Sequence, residues 1–460
     1  MTRPARLLCG LILGCFLVGT GQVKAAPDGQ SLDRVSHDLI FGPAPVRMLA
    51  VQQIVEHGEP DAAAVLILAM RFWRDDPTLP AAFEALTGAK VDGWFDAMLW
   101  QQAHPEVMPH PSFRDIKLQV FEAIDPAFLR FLGGERSLPE NLAIRFEEIT
   151  WGGVQVDGIP SLDNPDLIAA DAADYLKDDD LVFGVEINGD ARAYPLRIMG
   201  WHEMFNDVIG GVPVALAYCT LCGAGILFET DVEGYDETFV FGSSGFLYRS
   251  NKLMFDRQTD SLWNQFTGKP VSGPLLDSGI ELKIRPVTIT SWQDWRESNP
   301  DTHVLSRKTG HLRDYGSGVV YRDYFASPDL MFPALVDEEN LRQKDYVFGI
   351  RDVAASKAWP ITAFEGGAVI NDAVGIRDVV LIGDAATRTV RAYDRDGRTF
   401  TATDSADTLS ATDGEWRIGE DALTGPDGTR LARVPGHIAY WFAWDGYLGV
   451  ESDLYAETTQ

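Results

Sequence analysis

The feature that most constrains this chain is that part of it is written twice. Val182-Phe183-Gly184 returns as Val347-Phe348-Gly349, Ala193-Tyr194-Pro195 as Ala358-Trp359-Pro360, Asn206-Asp207 as Asn371-Asp372 and Gly210 as Gly375, each 165 positions later. Glycine, proline and Asn-Asp fix turns rather than merely filling a core, so gapless agreement at these residues concerns backbone path. Further on, with deletions, Thr259-Asp260 and Trp263 match Thr412-Asp413 and Trp416. Gly273-Pro274 match Gly425-Pro426, and the spacing of Trp292 and Trp295 returns in Trp441 and Trp444. Two related modules are expected, at about 146–335 and 336–460.

The local texture says what those modules are made of. After Trp151 short β-branched and aromatic runs alternate with Gly, Asn, Asp and Pro, the pattern of strands and turns. Leu181 to Ile187 closed by Asn188-Gly189, Val212 to Tyr218 and Gly225 to Phe228 are such runs. Before it, from Pro43 to Leu132, apolar residues recur at helical spacing, as in Met48, Val51, Ile54 and Val55, then Ala64, Leu66, Ile67 and Met70. Gly58-Glu59-Pro60-Asp61 breaks these two helices, with Asp61 expected as an N-cap. Further helices are expected at 81–86, 93–102 and 113–131, a small stack of helical hairpins of the kind used for docking. The fold class is α+β multidomain: a helical-hairpin domain at 27–145 and a predominantly β body built from two modules.

Bulk composition limits partners. The 460 residues hold 39 Lys and Arg against 68 Asp and Glu, a formal charge of -29 that repels polyanions and argues against nucleic acid and anionic membrane surfaces. Arg3 and Arg6 precede the apolar run Leu7 to Val18, and Val23-Lys24-Ala25-Ala26 offers a cleavage site, so 1–26 reads as a signal peptide. The mature chain is then periplasmic or secreted, with no membrane span. Ile12-Leu13-Gly14-Cys15 loosely resembles a lipidation box, but the apolar Phe16 to Val18 beyond it disfavours a lipoprotein. Cleavage also removes Cys9 and Cys15, leaving Cys219 and Cys222 as the only thiols. A pair this close staples almost no chain, so another reason for it is wanted.

The repeat separates scaffold from chemistry. His202 falls opposite Gly367, Cys219 opposite Asp384 and Cys222 opposite Thr387, so the second module keeps turn and core residues while lacking the thiols and the imidazole. The combination Arg192-Ala193-Tyr194-Pro195, Trp201-His202-Glu203, Asn206-Asp207, Tyr218-Cys219-Thr220-Leu221-Cys222-Gly223 and Asp256-Arg257-Gln258-Thr259 leading to Trp263 resembles the bacterial domain-of-unknown-function family 3179. The resemblance covers about 150–450. It implies a fold and the position of a site, but no reaction. That family usually has proline where this chain has Thr220.

Flanked by two strands, the Cys-x-x-Cys-Gly turn resembles the knuckle of rubredoxin-like and zinc-ribbon sites. A closed zinc site needs four ligands, and no second cysteine pair exists in the mature chain. With His202 a Cys2His site arises, open or completed by Met254, whose soft donors suit copper and are compatible with zinc. Arg192, Asn206, Asp207, Asp256 and Arg257 are candidate supporting residues, with Asn206-Asp207 favoured as a turn because it recurs without thiols. Dithiol-disulfide exchange by Cys219 and Cys222 is the second reading, with His202 beside a thiolate, although no helix N-terminus follows the motif. A permanent local disulfide is the third. Haem attachment is excluded by Gly223, deaminase chemistry by the adjacency of His202 and Glu203, and no nucleotide-binding glycine loop is present. If the segment is extended, His202 and Glu203 point to opposite faces and do not share a site. Three functional classes stand: metal enzyme or carrier, thiol oxidoreductase, and non-catalytic cell-envelope interaction protein whose helical domain binds a protein partner.

Overall fold

The computed structural model of the chain describes residues 31–449 and 452–456, so the signal read at 1–26, with Cys9 and Cys15, lies outside the described residues. Among the described residues no helix is long and apolar enough to cross a membrane.

A helical N-terminal region precedes a sheet-rich body. Its helices are α1 (Leu32–Phe41), α2 (Ala44–His57), α3 (Ala63–Phe72), α4 (Thr78–Thr87), α5 (Trp94–Ala103), α6 (Phe113–Ile124) and the single turn α7 (Leu129–Leu132). α3, with the sequence AAVLILAMRF, has apolar side chains on every face and is buried from Ala63 to Met70, the central rod of the bundle. Asp61 does not cap it. Pro60–Ala62 forms a 3-10 turn instead, and the Asp61 carboxylate pairs with His57 Nε2 at 3.0 Å. The helical core runs on into the body: Phe128 lies 4.4 Å from Phe246, and Phe131 lies 4.9 Å from Phe255. Both partners belong to a sheet ordered Ile149–Trp151, Phe241–Tyr248, Asn251–Asp256, Leu262–Asn264, Lys269–Ser272.

Four further sheets build the body. One has the order Thr288–Ser291, Leu181–Ile187, Asp190–Pro195, His303–Leu305, with Leu167–Ala169 at its edge. Its central hairpin is closed by Asn188 and Gly189, both at positive φ, as an Asn-Gly turn requires. Another has the order His437–Tyr440, Tyr346–Arg351, Ser356–Pro360, Ser452–Leu454. In each the hairpin takes an antiparallel strand on one side and a parallel one on the other. A helix follows the antiparallel strand in both, α9 (Trp292–Ser298) and α11 (Trp441–Leu448), counting α8 (Leu196–His202) and α10 (Arg322–Ala326) between. A Cβ on Gly184 would lie 2.1 Å from the Trp295 ring, and one on Gly349 would lie 1.9 Å from Trp444, so both hairpins need glycine where a tryptophan lies on them.

The remaining sheets carry the meanders Met204–Ile209, Val212–Cys219, Ala224–Glu229 and Ala368–Val374, Arg377–Asp384, Thr389–Asp394. The meanders differ in how they are entered. α8 leads into the first, and a single 3-10 turn, Ile361–Phe364, into the second.

Candidate functional site

Cys219 ends one strand and pairs across the turn with Ala224, the first residue of the next. Between them Cys222 N–H donates to the Cys219 carbonyl at 3.2 Å. Gly223 has φ +61, and a Cβ there would stand 2.9 Å from Tyr346, so glycine is needed for the turn and for the close approach. Cys219 and Cys222 are joined as a disulfide, with their Cα atoms 5.3 Å apart. Cys222 is fully buried, its sulfur 3.0 Å from Asn251 Oδ1 and 3.5 Å from the Ser250 carbonyl, so as a thiol it has two acceptors. Two outside groups hold the turn: Tyr440 N–H donates to the Cys222 carbonyl and Tyr324 hydroxyl to the Leu221 carbonyl, each at 2.7 Å.

His202 is not gathered with the sulfurs in a metal-holding group. Among the described residues no three His, Cys, Asp or Glu side chains are so placed. The imidazole is buried with both nitrogens engaged, Nδ1 with the Pro160 carbonyl at 2.9 Å and Nε2 with the Tyr315 hydroxyl at 2.6 Å. A carbonyl only accepts, so Nδ1 carries the proton and Nε2 accepts from Tyr315. Burial pushes the His202 pKa down to about 4, His311 and Arg313 adding to the effect and the Pro160 bond opposing it.

The residue that does reach the turn is its neighbour. The segment is helical to His202 rather than extended, and Glu203 caps α8 in the left-handed conformation at φ +53. That reversal sends the Glu203 carboxylate back toward the cysteines: Oε1 accepts from Thr220 Oγ1 at 2.6 Å and from the Tyr321 hydroxyl at 3.3 Å. Oε2 lies 3.1 Å from Lys252 Nζ, and both partners of this ion pair are buried. Tyr321 is also left-handed, at φ +52. The Glu203 charge, and then burial, push the Tyr321 phenol up, which keeps it protonated as a donor. Cys219, Thr220, Glu203, Lys252 and Tyr321 line one cavity of about 40 Å³, room for two or three waters. Non-glycine residues at positive φ are costly and persist where the surroundings enforce them, often at functional sites. Neither Lys252 nor Tyr321 carries a sequence motif. They lie 49 and 118 residues from Glu203, and only folding brings them together.

The other sequence-derived candidates have structural occupations. Met254 is fully buried opposite Trp263 in the core cluster that also holds both cysteines. Asp207 accepts from Arg192 Nη1 at 2.8 Å and from the Tyr194 hydroxyl at 2.6 Å. Asn206 exchanges two bonds with the Phe241 backbone, at 2.8 and 2.9 Å. Asp256 receives Trp263 Nε1 at 2.8 Å and Thr259 N–H at 2.6 Å, and burial raises its pKa. Arg257 pairs with Asp157 at 2.8 Å.

No curated protein and no solved structure matches the chain. A family described as protein of unknown function (DUF3179) matches residues 156–450, more than half of the sequence. On that match, the chain belongs to the DUF3179 family.

Proposed function

We propose that the chain is an extracytoplasmic thiol-disulfide oxidoreductase in which Cys219 and Cys222 exchange two electrons with a cysteine-bearing partner. One observation carries the reading: the bridged pair opens, through Cys219, onto a cavity that also holds the buried Lys252–Glu203 pair and the Tyr321 hydroxyl. In the forward step a partner thiolate attacks Cys219 Sγ, the Cys219–Cys222 bond breaks, and Cys222 leaves as a thiolate that takes up a proton. A second partner thiol then attacks the mixed disulfide, releasing Cys219. The partner dithiol becomes a disulfide, and the chain gains two electrons and two protons. The Thr220, Glu203 and Tyr321 chain beside Cys219 offers a route for its proton, and Lys252 balances the Glu203 charge within it. Cys222, enclosed by Asn251 and Ser250, suits the resolving role.

The test uses the folded full chain with oxidised glutathione. Cys222→Ser is expected to form a mixed disulfide at Cys219 about tenfold faster than Cys219→Ser does at Cys222, by intact mass. Absence of adduct in both variants refutes the reading in favour of a permanent cross-link. The metal reading ranks behind, because Nε2 of His202, the nitrogen with a lone pair to offer, is taken by the Tyr315 hydroxyl.

A protein partner docking on the helical region is favoured by the exposure of Phe41, Met48, Leu49 and Val55 on α1 and α2. We also infer that the two modules descend from one duplicated unit. Strands of the paired meanders start and stop at positions 165 apart, from Leu181–Ile187 and Tyr346–Arg351 to Ala224–Glu229 and Thr389–Asp394, within one residue. Export rests on the N-terminal sequence alone.

A further inference from the structure

Behind the cysteine turn lies a second cavity, of about 420 Å³, that the redox reading does not use. It lies where the two halves of the body meet, and four aromatic side chains line it: Tyr218 and Phe325 from one half, Tyr346 and Tyr440 from the other. Its volume falls in the range of small-molecule sites. Three features make it a built site rather than a packing fault.

The first is Arg388. It ends the turn between Arg377–Asp384 and Thr389–Asp394 at φ +54, where the position 165 residues earlier is Gly223 at φ +61. An arginine kept in a conformation that favours glycine carries a backbone cost, so its side chain has a use. Arg388 Nη1 donates to the Tyr346 hydroxyl at 2.7 Å, and its guanidinium lies 4.7 Å from that ring's centroid. Among the described residues it has no ion pair with a carboxylate, in a chain with a formal charge of -29. The second is Tyr218. Only 4 % of it is exposed, it lines the cavity, and among the described residues its hydroxyl has no hydrogen-bond partner. Burial and the neighbouring Tyr346 push its phenol up, which leaves the proton on the oxygen as a free donor. The third is at the far wall, where Arg197 Nη2 meets Asp180 Oδ1 at 2.7 Å, Asp180 also receives Ser317 Oγ at 3.0 Å, and the exposed Asp179 completes the lining.

From these we propose that the cavity binds a small aromatic monoanion, an arene carboxylate, with its ring among Tyr218, Phe325, Tyr346 and Tyr440 and its carboxylate on Arg388 and the Tyr218 hydroxyl. One unmatched cation and one unpartnered donor suit a single carboxylate. A dianion would leave a charge uncompensated, and an uncharged arene would leave Arg388 unanswered. The binding is independent of the cysteine chemistry.

Benzoate, 4-hydroxybenzoate and the uncharged 4-hydroxybenzamide are titrated calorimetrically into the full chain. Saturable one-to-one binding of the two acids, with the amide at least about tenfold weaker, is expected, since a hydrogen bond to a charged group is stronger than one to a neutral group. Arg388→Gln should lower acid affinity by the same factor, and Arg388→Lys should recover part of it. Tyr218→Phe, which keeps the ring, should weaken the acids more than the amide. Unchanged thermal unfolding in Tyr218→Phe separates lost binding from lost fold if Arg388→Gln unfolds. Equal binding of acid and amide, equal binding in Arg388→Gln and the parent, or no saturable binding of the acids overturns the proposal. Cys219→Ser with Cys222→Ser should bind as the parent does, so failure of the redox reading leaves this result standing.

Discussion

The turn Cys219–Gly223 and the turn Asp384–Arg388 have the same backbone and different chemistry. Both join antiparallel strands of matched length, closed by Cys219 with Ala224 and by Asp384 with Thr389. Both end in a left-handed residue, Gly223 or Arg388. In the second, Asp384 Oδ1 accepts from Ala386 N–H at 2.8 Å, an ordinary local bond that does what a turn needs. A cross-link is therefore not required to build this turn. The same comparison identifies scaffold. Asn206 clasps the Phe241 backbone as Asn371 clasps that of Phe400, with bonds of 2.8 to 2.9 Å in both. Asp207 joins Arg192 and Tyr194, as Asp372 joins Lys357 and Trp359.

The widest effect should come from acid, and it should reach both halves. His202 in the first and His437 in the second have pKa values lowered by burial from 6.5, to about 4 and about 3. Each takes up a proton more readily when unfolded, so its stabilising contribution is complete above pH 6.5 and is lost as pH falls through the folded values. Together they should remove on the order of 5 kcal/mol between pH 7 and 4, read by denaturant unfolding. His202→Gln and His437→Gln should each flatten about half of that slope. Equal slopes in parent and variants would break the assignment.

Next come the matched aspartates. Asp207→Ala should cost about 3 kcal/mol, because the buried Tyr194 hydroxyl loses its acceptor and Arg192 keeps only Asp190, and Asp372→Ala less, since Lys357 and Asp372 are the more exposed pair. If Asp207→Ala were harmless to stability and harmful to thiol exchange, its place in the scaffold would be wrong. The smallest effect on stability should be that of Cys219→Ser with Cys222→Ser. So short a loop removes at most about 2 kcal/mol of denatured-state entropy. A larger loss would turn the pair into a staple.

Much of the scaffold was legible in the sequence because turns are written in single residues. Asn188-Gly189 closes its hairpin where its chemistry requires, and the strand read at 181–187 has those bounds. The 165-residue shift, read from Gly, Pro and Asn-Asp alone, recurs in the strand limits of both meanders. The site was half legible. The cysteine turn lies between its two strands, but an extended backbone at 202–203 would turn Glu203 to the face opposite His202, whereas α8 continues to residue 202 and Glu203 reverses the chain. A left-handed glutamate has no sequence signature. Lys252 reaches Glu203 from a strand 49 positions on, and Tyr321 from a loop 118 positions on, distances at which neither periodicity nor motif spacing carries information. Asp61 failed as a cap because Pro60 begins a 3-10 turn that carries the aspartate toward His57.

The most direct measurement is a redox titration of the folded full chain in poised glutathione buffers, with Cys219 and Cys222 counted by alkylation and mass. The two thiols should appear together as one two-electron couple, with a midpoint that shifts in Lys252→Met and not in Asp372→Ala. A bridge that stays closed at every potential until the protein unfolds, or a midpoint indifferent to Lys252, would contradict the redox account.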